Sequence, residues 1–230
     1  MRYGRMYAMK NILSITIFAL LFLGLGALAL TAAPGDAGIV AGSAPEVEAA
    51  EVNATNNFNF IGMPLDSSAS VTPFKASGLT AYMNPGVQQV MQWNAGSQVW
   101  ASYSGGPPFT DFNLAVGGAY MVELDSTHPD TVVSFVGDVP AQGSVSHTFV
   151  LPPGAGCYFN TLSIPLDRSD LLKASDLVAD IGGVEQVLQW NAVTQLWASY
   201  SGGPPFTDFD VKIGYPYMVC VDNTATTPWQ

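Results

Sequence analysis

Trp100-Ala101-Ser102-Tyr103-Ser104-Gly105-Gly106-Pro107-Pro108-Phe109-Thr110-Asp111-Phe112 recurs without a change at 197–209. A segment repeated at a fixed interval marks a tandem duplication, and the rest of the chain can be aligned on it. Downstream the interval stays at 97 residues. Upstream, Phe58-Asn59-Phe60-Ile61-Gly62-Met63-Pro64-Leu65-Asp66 matches Phe159-Asn160-Thr161-Leu162-Ser163-Ile164-Pro165-Leu166-Asp167 at an interval of 101. Ile61 and Met63, like Leu162 and Ile164, alternate with their neighbours, so each block reads as a strand with one buried face that ends at a proline.

The remaining elements of the unit follow in order. Lys75-Ala76-Ser77 matches Lys173-Ala174-Ser175. In the second copy Ser175 is placed to cap, Asp176 favours a helix N-terminus and Gly182 stops it, which predicts two helical turns with Leu177 and Ile181 inward. The first copy carries Gly78 and Pro85-Gly86, so its helix is expected to be weaker. Met91 and Trp93, or Leu188 and Trp190, alternate with polar residues and turn at 95–97 or 192–194 into a second strand through Trp100 or Trp197, as in a β-hairpin. A third run holds Phe112, Leu114 and Val116, or Phe209, Val211 and Ile213. Gly117 or Gly214 breaks it, and a last strand carries Tyr120, Val122 and Leu124, or Tyr217, Val219 and Val221.

Outside the repeat, Arg2, Arg5 and Lys10 precede an apolar run over 12–30 that ends in Ala27-Leu28-Ala29. This predicts an N-terminal signal helix, either removed on export or kept as an anchor; no other stretch is long or apolar enough to span a bilayer. Residues 31–57 form a flexible acidic linker with an Asn53-Ala54-Thr55 glycosylation triplet. Beyond the leader only Lys75, Arg168, Lys173 and Lys212 offset eighteen acidic residues. Such a charge balance argues against a nucleic-acid or anionic-lipid partner, leaving the membrane to the leader alone. Between the units, 132–137 and 144–151 flank a Pro-Ala-Gln-Gly turn and read as a two-stranded ribbon leading the second unit. Residues 224–230 are either a ragged tail or the start of a further copy in a longer array.

The order Asn-x-(Leu/Ile)-x-x-Pro-Leu, Ala-Ser-Asp-Leu, a Trp-centred hairpin, Asp-Phe and Gly-x-x-Tyr, carried by Asn160 to Leu166, Ala174 to Leu177, Trp190 to Tyr200, Asp208 to Ile213 and Gly214 to Tyr217, resembles repeated modules of secreted and surface proteins of bacteria and archaea. The resemblance covers 58–125 and 131–223, and the first unit departs from it in lacking a leading ribbon. It implies a non-catalytic surface module and brings no catalytic residues.

The identity of 13 positions calls for a local reason, because the next 13 positions share only five residues. One reading is structural: Gly105-Gly106-Pro107-Pro108 fixes a corner and Asp111 satisfies backbone donors in it. The other is a binding surface. If Val99, Ala101 and Tyr103 face the core, Trp100 and Trp197 stand out as exposed rings, with Tyr103 and Tyr200 in the same segments, suited to stacking on sugars or on a partner protein. Cys157 and Cys220, the only cysteines, are expected to form a disulfide in an exported protein, the alternative being two free thiols. Their first-unit counterparts are Asn56 and Glu123, so the fold does not depend on the bridge. His128 and His147 have no repeat partners, Asp208 and Asp210 are poorly placed for paired acid–base work, and no nucleophile, phosphate-loop or metal motif occurs.

The sequence therefore predicts a mainly β chain: signal 1–30, linker 31–57, a first antiparallel module 58–125 and a second at 131–223 with its ribbon 131–151, each with one short helix, then a tail 224–230. It predicts a secreted or cell-surface protein with a structural or adhesive role, no enzymatic activity, no cofactor and no metal. The partner is a cell-envelope glycan or surface protein, and the alternative function is a glycan-binding module using Trp100, Tyr103, Trp197 and Tyr200.

Overall fold

In a computed structural model the residues described are 51–52, 58–66, 74–106, 110–125, 131–132, 135, 137–203 and 207–230. The expected leader, most of the linker, the Asn53 triplet and His128 lie outside them. Among the described residues no helix is long and apolar enough to cross a membrane.

Each repeat copy builds one four-stranded antiparallel sheet and one helix. The first copy supplies β2 (Phe58–Gly62), α1 (Ala76–Met83), β3 (Val87–Asn94), β4 (Val99–Tyr103) and β5 (Ala119–Leu124), in the order β2-β5-β3-β4. The second supplies β7 (Tyr158–Ser163), α2 (Ala174–Ile181), β8 (Val184–Asn191), β9 (Leu196–Tyr200) and β10 (Pro216–Val221), in the order β7-β10-β8-β9. Two short strands outside these sheets, β1 (Glu51–Val52) and β6 (Thr131–Val132), pair antiparallel.

One face of each sheet takes the helix, because alternation puts the aliphatic residues of every strand on that side. Ile61, Val90, Tyr120 and Val122 meet Leu79 and Met83 in the first copy. Leu162, Val187, Tyr217 and Val219 meet Leu177 and Ile181 in the second, the two helical residues expected inward. Both helices run for eight residues, so the first is not shorter despite Gly78. The reason is a cap from a distant segment. Ser77 donates through N and Oγ to the Asp111 carboxylate at 3.0 and 2.8 Å, and Ser175 does the same to Asp208 at 2.9 and 2.7 Å. Ser175 is thus inside the helix and not its N-cap, and Asp176 accepts from the backbone of Lys173 at 2.9 Å. Gly182, with φ 69°, ends the second helix as expected.

The third run does not join either sheet. Phe112 O accepts from Ala76 N at 3.0 Å and Leu114 N donates to Phe74 O at 2.8 Å, so the run pairs with the chain entering the helix; Phe209 and Val211 repeat this with Ala174 and Leu172. The Asp-Phe pair needs that path, since it places Asp111 at the helix end and lays Phe112 on Tyr120, rings 6.1 Å apart and stacked.

The ribbon expected over 131–151 is also rearranged. Among the described residues its two arms do not pair with each other. Thr131 and Val132 pair with Val52 and Glu51, at the end of the expected linker, and Asp138 bridges Asp66 of the first copy. His147 instead bridges Trp229, with backbone N–H···O distances of 2.8 and 2.9 Å. The tail is correspondingly a packed part of the second copy. Trp229 is 2% exposed, its indole donates to Asp180, and Arg168 lies 5.3 Å over its ring. At the 97-residue interval Trp229 corresponds to Val132. In both copies, then, a strand-like segment following the sheet is paired by one preceding it, and two arms flanking a turn do not by themselves reveal which partner each takes.

Candidate functional site

The second face of each sheet is apolar as well, and the two copies bury these faces against each other. Phe60, Ala119 and Met121 from the first copy and Met218 from the second form the buried centre, and Trp93, Trp100, Trp190 and Trp197 pack around it. Register explains the grouping. Trp93 is directly opposite Trp100 on β3–β4, and Trp190 is opposite Trp197 on β8–β9, so each pair must share a face. Their rings meet edge to face, with centroids 5.2 and 5.0 Å apart, and Phe60 reaches both Trp100 (6.3 Å) and Trp197 (5.5 Å).

Polar groups at the rim repeat this twofold relation. The Trp93 indole donates to Phe159 O at 2.7 Å, and the Trp190 indole donates to Phe58 O at 3.0 Å. Gln98 donates to Phe159 O and accepts from Phe159 N, at 3.0 and 2.9 Å; Gln195 holds Phe58 in the same way at 2.8 and 3.0 Å. These glutamines sit at the ends of the hairpin turns in the left-handed region, with φ of 56° and 55°. Asn94 and Asn191 support the turns by accepting from the two following loop N–H groups. Each hairpin therefore seals the outer edge of the other copy's first strand. Near the axis the backbones almost touch: a Cβ added to Gly62 would lie 2.3 Å from Gly214 O, and Ser163 N donates to Gly117 O at 2.7 Å.

The four residues singled out for binding do not form one surface. Trp100 and Trp197 are half-buried between the sheets and are not free stacking platforms. Tyr103 and Tyr200 point to the opposite faces and pack on the helix-side cores. Val99 and Ala101 lie on the Tyr103 side of β4 and remain exposed, whereas the side that carries Trp100 faces the second copy. Cys157 and Cys220 stand at disulfide distance, with Cα atoms 5.3 Å apart, tying the start of β7 to β10.

Two open grooves flank the interface. One, about 280 Å³, is lined by Gln92, Trp93, Tyr120, His147 and Asn160 among others. Its counterpart, about 320 Å³, is lined by Asn59, Gln189, Trp190, Asn191, Lys212 and Tyr215. Lys212 Nζ lies 5.0 Å over the Tyr215 ring. The perturbed groups nearby have structural causes. Burial pushes the Tyr217 hydroxyl up to about 12 and also raises Tyr120, and each hydroxyl accepts a backbone N–H, from Lys212 and Ala115 respectively. Burial pulls His147 down to about 4, partly offset by the Ser163 backbone; the ring stacks on Phe149 and leans on Trp229. Among the described residues no group of three or more His, Cys, Asp and Glu side chains is arranged to hold a metal ion. Sequence reasoning missed Gln98 and Gln195. Their signal was faint: the same residue type at the end of both hairpin turns, in loops whose two middle residues differ. Comparison with protein-family models, with curated proteins and with solved structures finds no match to this chain.

Proposed function

We propose that this is a secreted or cell-surface protein with a non-catalytic structural or adhesive role, related to the repeated surface modules that its sequence resembles. The observation that carries the reading is where the duplicated residues go. Trp100 and Trp197 join the sheets, Tyr103 and Tyr200 pack on the helix-side cores, and Asp111 and Asp208 cap the helices. Residues retained twice for packing favour a rigid building block over a reaction centre, where a few ionisable groups must converge. The cysteine pair supports an oxidising location. Fractionation of a native or heterologous host tests this: the protein is expected outside the cytoplasmic membrane, and retention in the cytoplasm with both thiols reduced would refute it.

A second reading, glycan binding, is favoured by the groove beside Trp190. Its amides and its aromatic ring match the polar edges and apolar face of a sugar. Screening on a polysaccharide array, with Gln189→Ala as control, is expected to show groove-dependent binding if this reading holds. An array with no signal removes it.

A further inference from the structure

Each sheet has two edges, and the fold treats them differently. On the β2 edge the backbone of Phe58 is held by Gln195 and Trp190, and on the β7 edge that of Phe159 is held by Gln98 and Trp93. The other edges, β4 and β9, are hydrogen-bonded only to β3 and β8 among the described strands. Natural proteins blunt open edges with charge, proline, bulges or covering segments. Here neither strand, Val99-Trp100-Ala101-Ser102-Tyr103 or Leu196-Trp197-Ala198-Ser199-Tyr200, has a charge or a proline. No charged residue occurs from Met91 to Thr110 or from Gln186 to Thr207. Both are regular in register against their neighbours, and the helices do not cover them: Val99 is 54% exposed, Leu196 is 45% exposed, and Ala101 and Ala198 are also open.

We propose that β4 and β9 are the surfaces through which copies of this chain join edge to edge, continuing each sheet into the next molecule. A second copy is the occupant that the edge chemistry fits. An antiparallel pair centred on Ala101 or Ala198 sets small residue against small residue. It puts Val99 or Leu196 opposite a tyrosine and a tryptophan opposite a serine, each on a matching face. No charge meets a charge in that register, which matters for a chain of net charge −11. Because Ala-Ser-Tyr is common to both edges, either edge accepts either. A molecule with two such edges forms an open chain and not a closed dimer. The proposal rests on the structural reading of function and names how that structure would be extended.

Sedimentation velocity on the purified full chain, from about 1 μM to 1 mM, reads the outcome directly. The natural protein is expected to shift from monomer to a ladder of larger species. Ala101→Lys and Ala198→Lys singly should stop growth at the dimer, and the double variant should stay monomeric. Both alanines are exposed, so unchanged near-ultraviolet circular dichroism verifies that the variants fold. A natural protein that remains monomeric throughout overturns the proposal, though an exported monomer leaves the structural role standing. So does a folded double variant that assembles as the natural protein does, which would place association elsewhere, including in the leader.

Discussion

Replacing Trp197 with alanine removes one of the four rings that join the two sheets. An indole buries about 150–250 Å² when fully covered. Trp197 is half-buried, so about 100 Å² of apolar area is lost, worth about 2.5 kcal/mol at ~25 cal/mol per Å². Its edge-to-face contacts with Trp190 and Phe60 add about 0.5–1.5 kcal/mol each. The expected loss is therefore about 3.5–5.5 kcal/mol, a large share of a typical domain's stability. Urea titration followed by tryptophan fluorescence measures it. A cycle with Phe60→Ala isolates the contact across copies, with an expected coupling of about 1 kcal/mol. Loss below about 1 kcal/mol with zero coupling would mean that the ring is not between the sheets, and the reasoning would fail.

Other outcomes follow from the same geometry. Asp111→Ala and Asp208→Ala each leave two helix donors without their carboxylate, and each should cost about 1–2 kcal/mol in denaturant titrations; equal stability to the natural protein would contradict the capping role. Gly62→Ala forces a Cβ against Gly214 O and should cost about 1–3 kcal/mol, whereas a neutral substitution would show that the backbones do not approach so closely. His147 is held neutral, with its folded pKa depressed to about 4 from 6.5. Its contribution is complete above pH 6.5 and is lost as pH falls from 6.5 to 4, amounting to about 3 kcal/mol; thermal melts across that window should lose this slope in His147→Gln, and an unchanged slope would refute it. The Cys157–Cys220 bridge spans 63 residues, so reducing it should cost about 4 kcal/mol by chain entropy, read as a lower denaturation midpoint in reductant than without it.

The strands, hairpins and short helices were legible because each depends on local alternation and on turn residues that occur twice. Trp93 and Trp100 show where legibility stopped. Period-two alternation assigns a residue to a face but does not say what covers that face, and here one face takes the helix while the other packs on the second copy. The register that puts Trp93 opposite Trp100 follows from a four-residue turn with a left-handed glutamine, which composition alone does not signal. The pairing of 112–116 was not legible for a similar reason: an alternating run pairs as readily with the chain entering a helix as with a sheet. The tail was undervalued because Trp229 is packed by His147, Arg168 and Asp180, residues far from it in sequence.

The central claim is that the two repeat copies lock face to face, each hairpin holding the other copy's first strand. Nuclear Overhauser contacts between the Phe60 and Trp197 rings, and from the Trp93 indole proton to the backbone around Phe159, test it most directly. The account predicts both, together with the reciprocal contact from Trp190 to Phe58. A spectrum in which each copy shows its own helix-to-sheet contacts but none of these cross-copy contacts would contradict it.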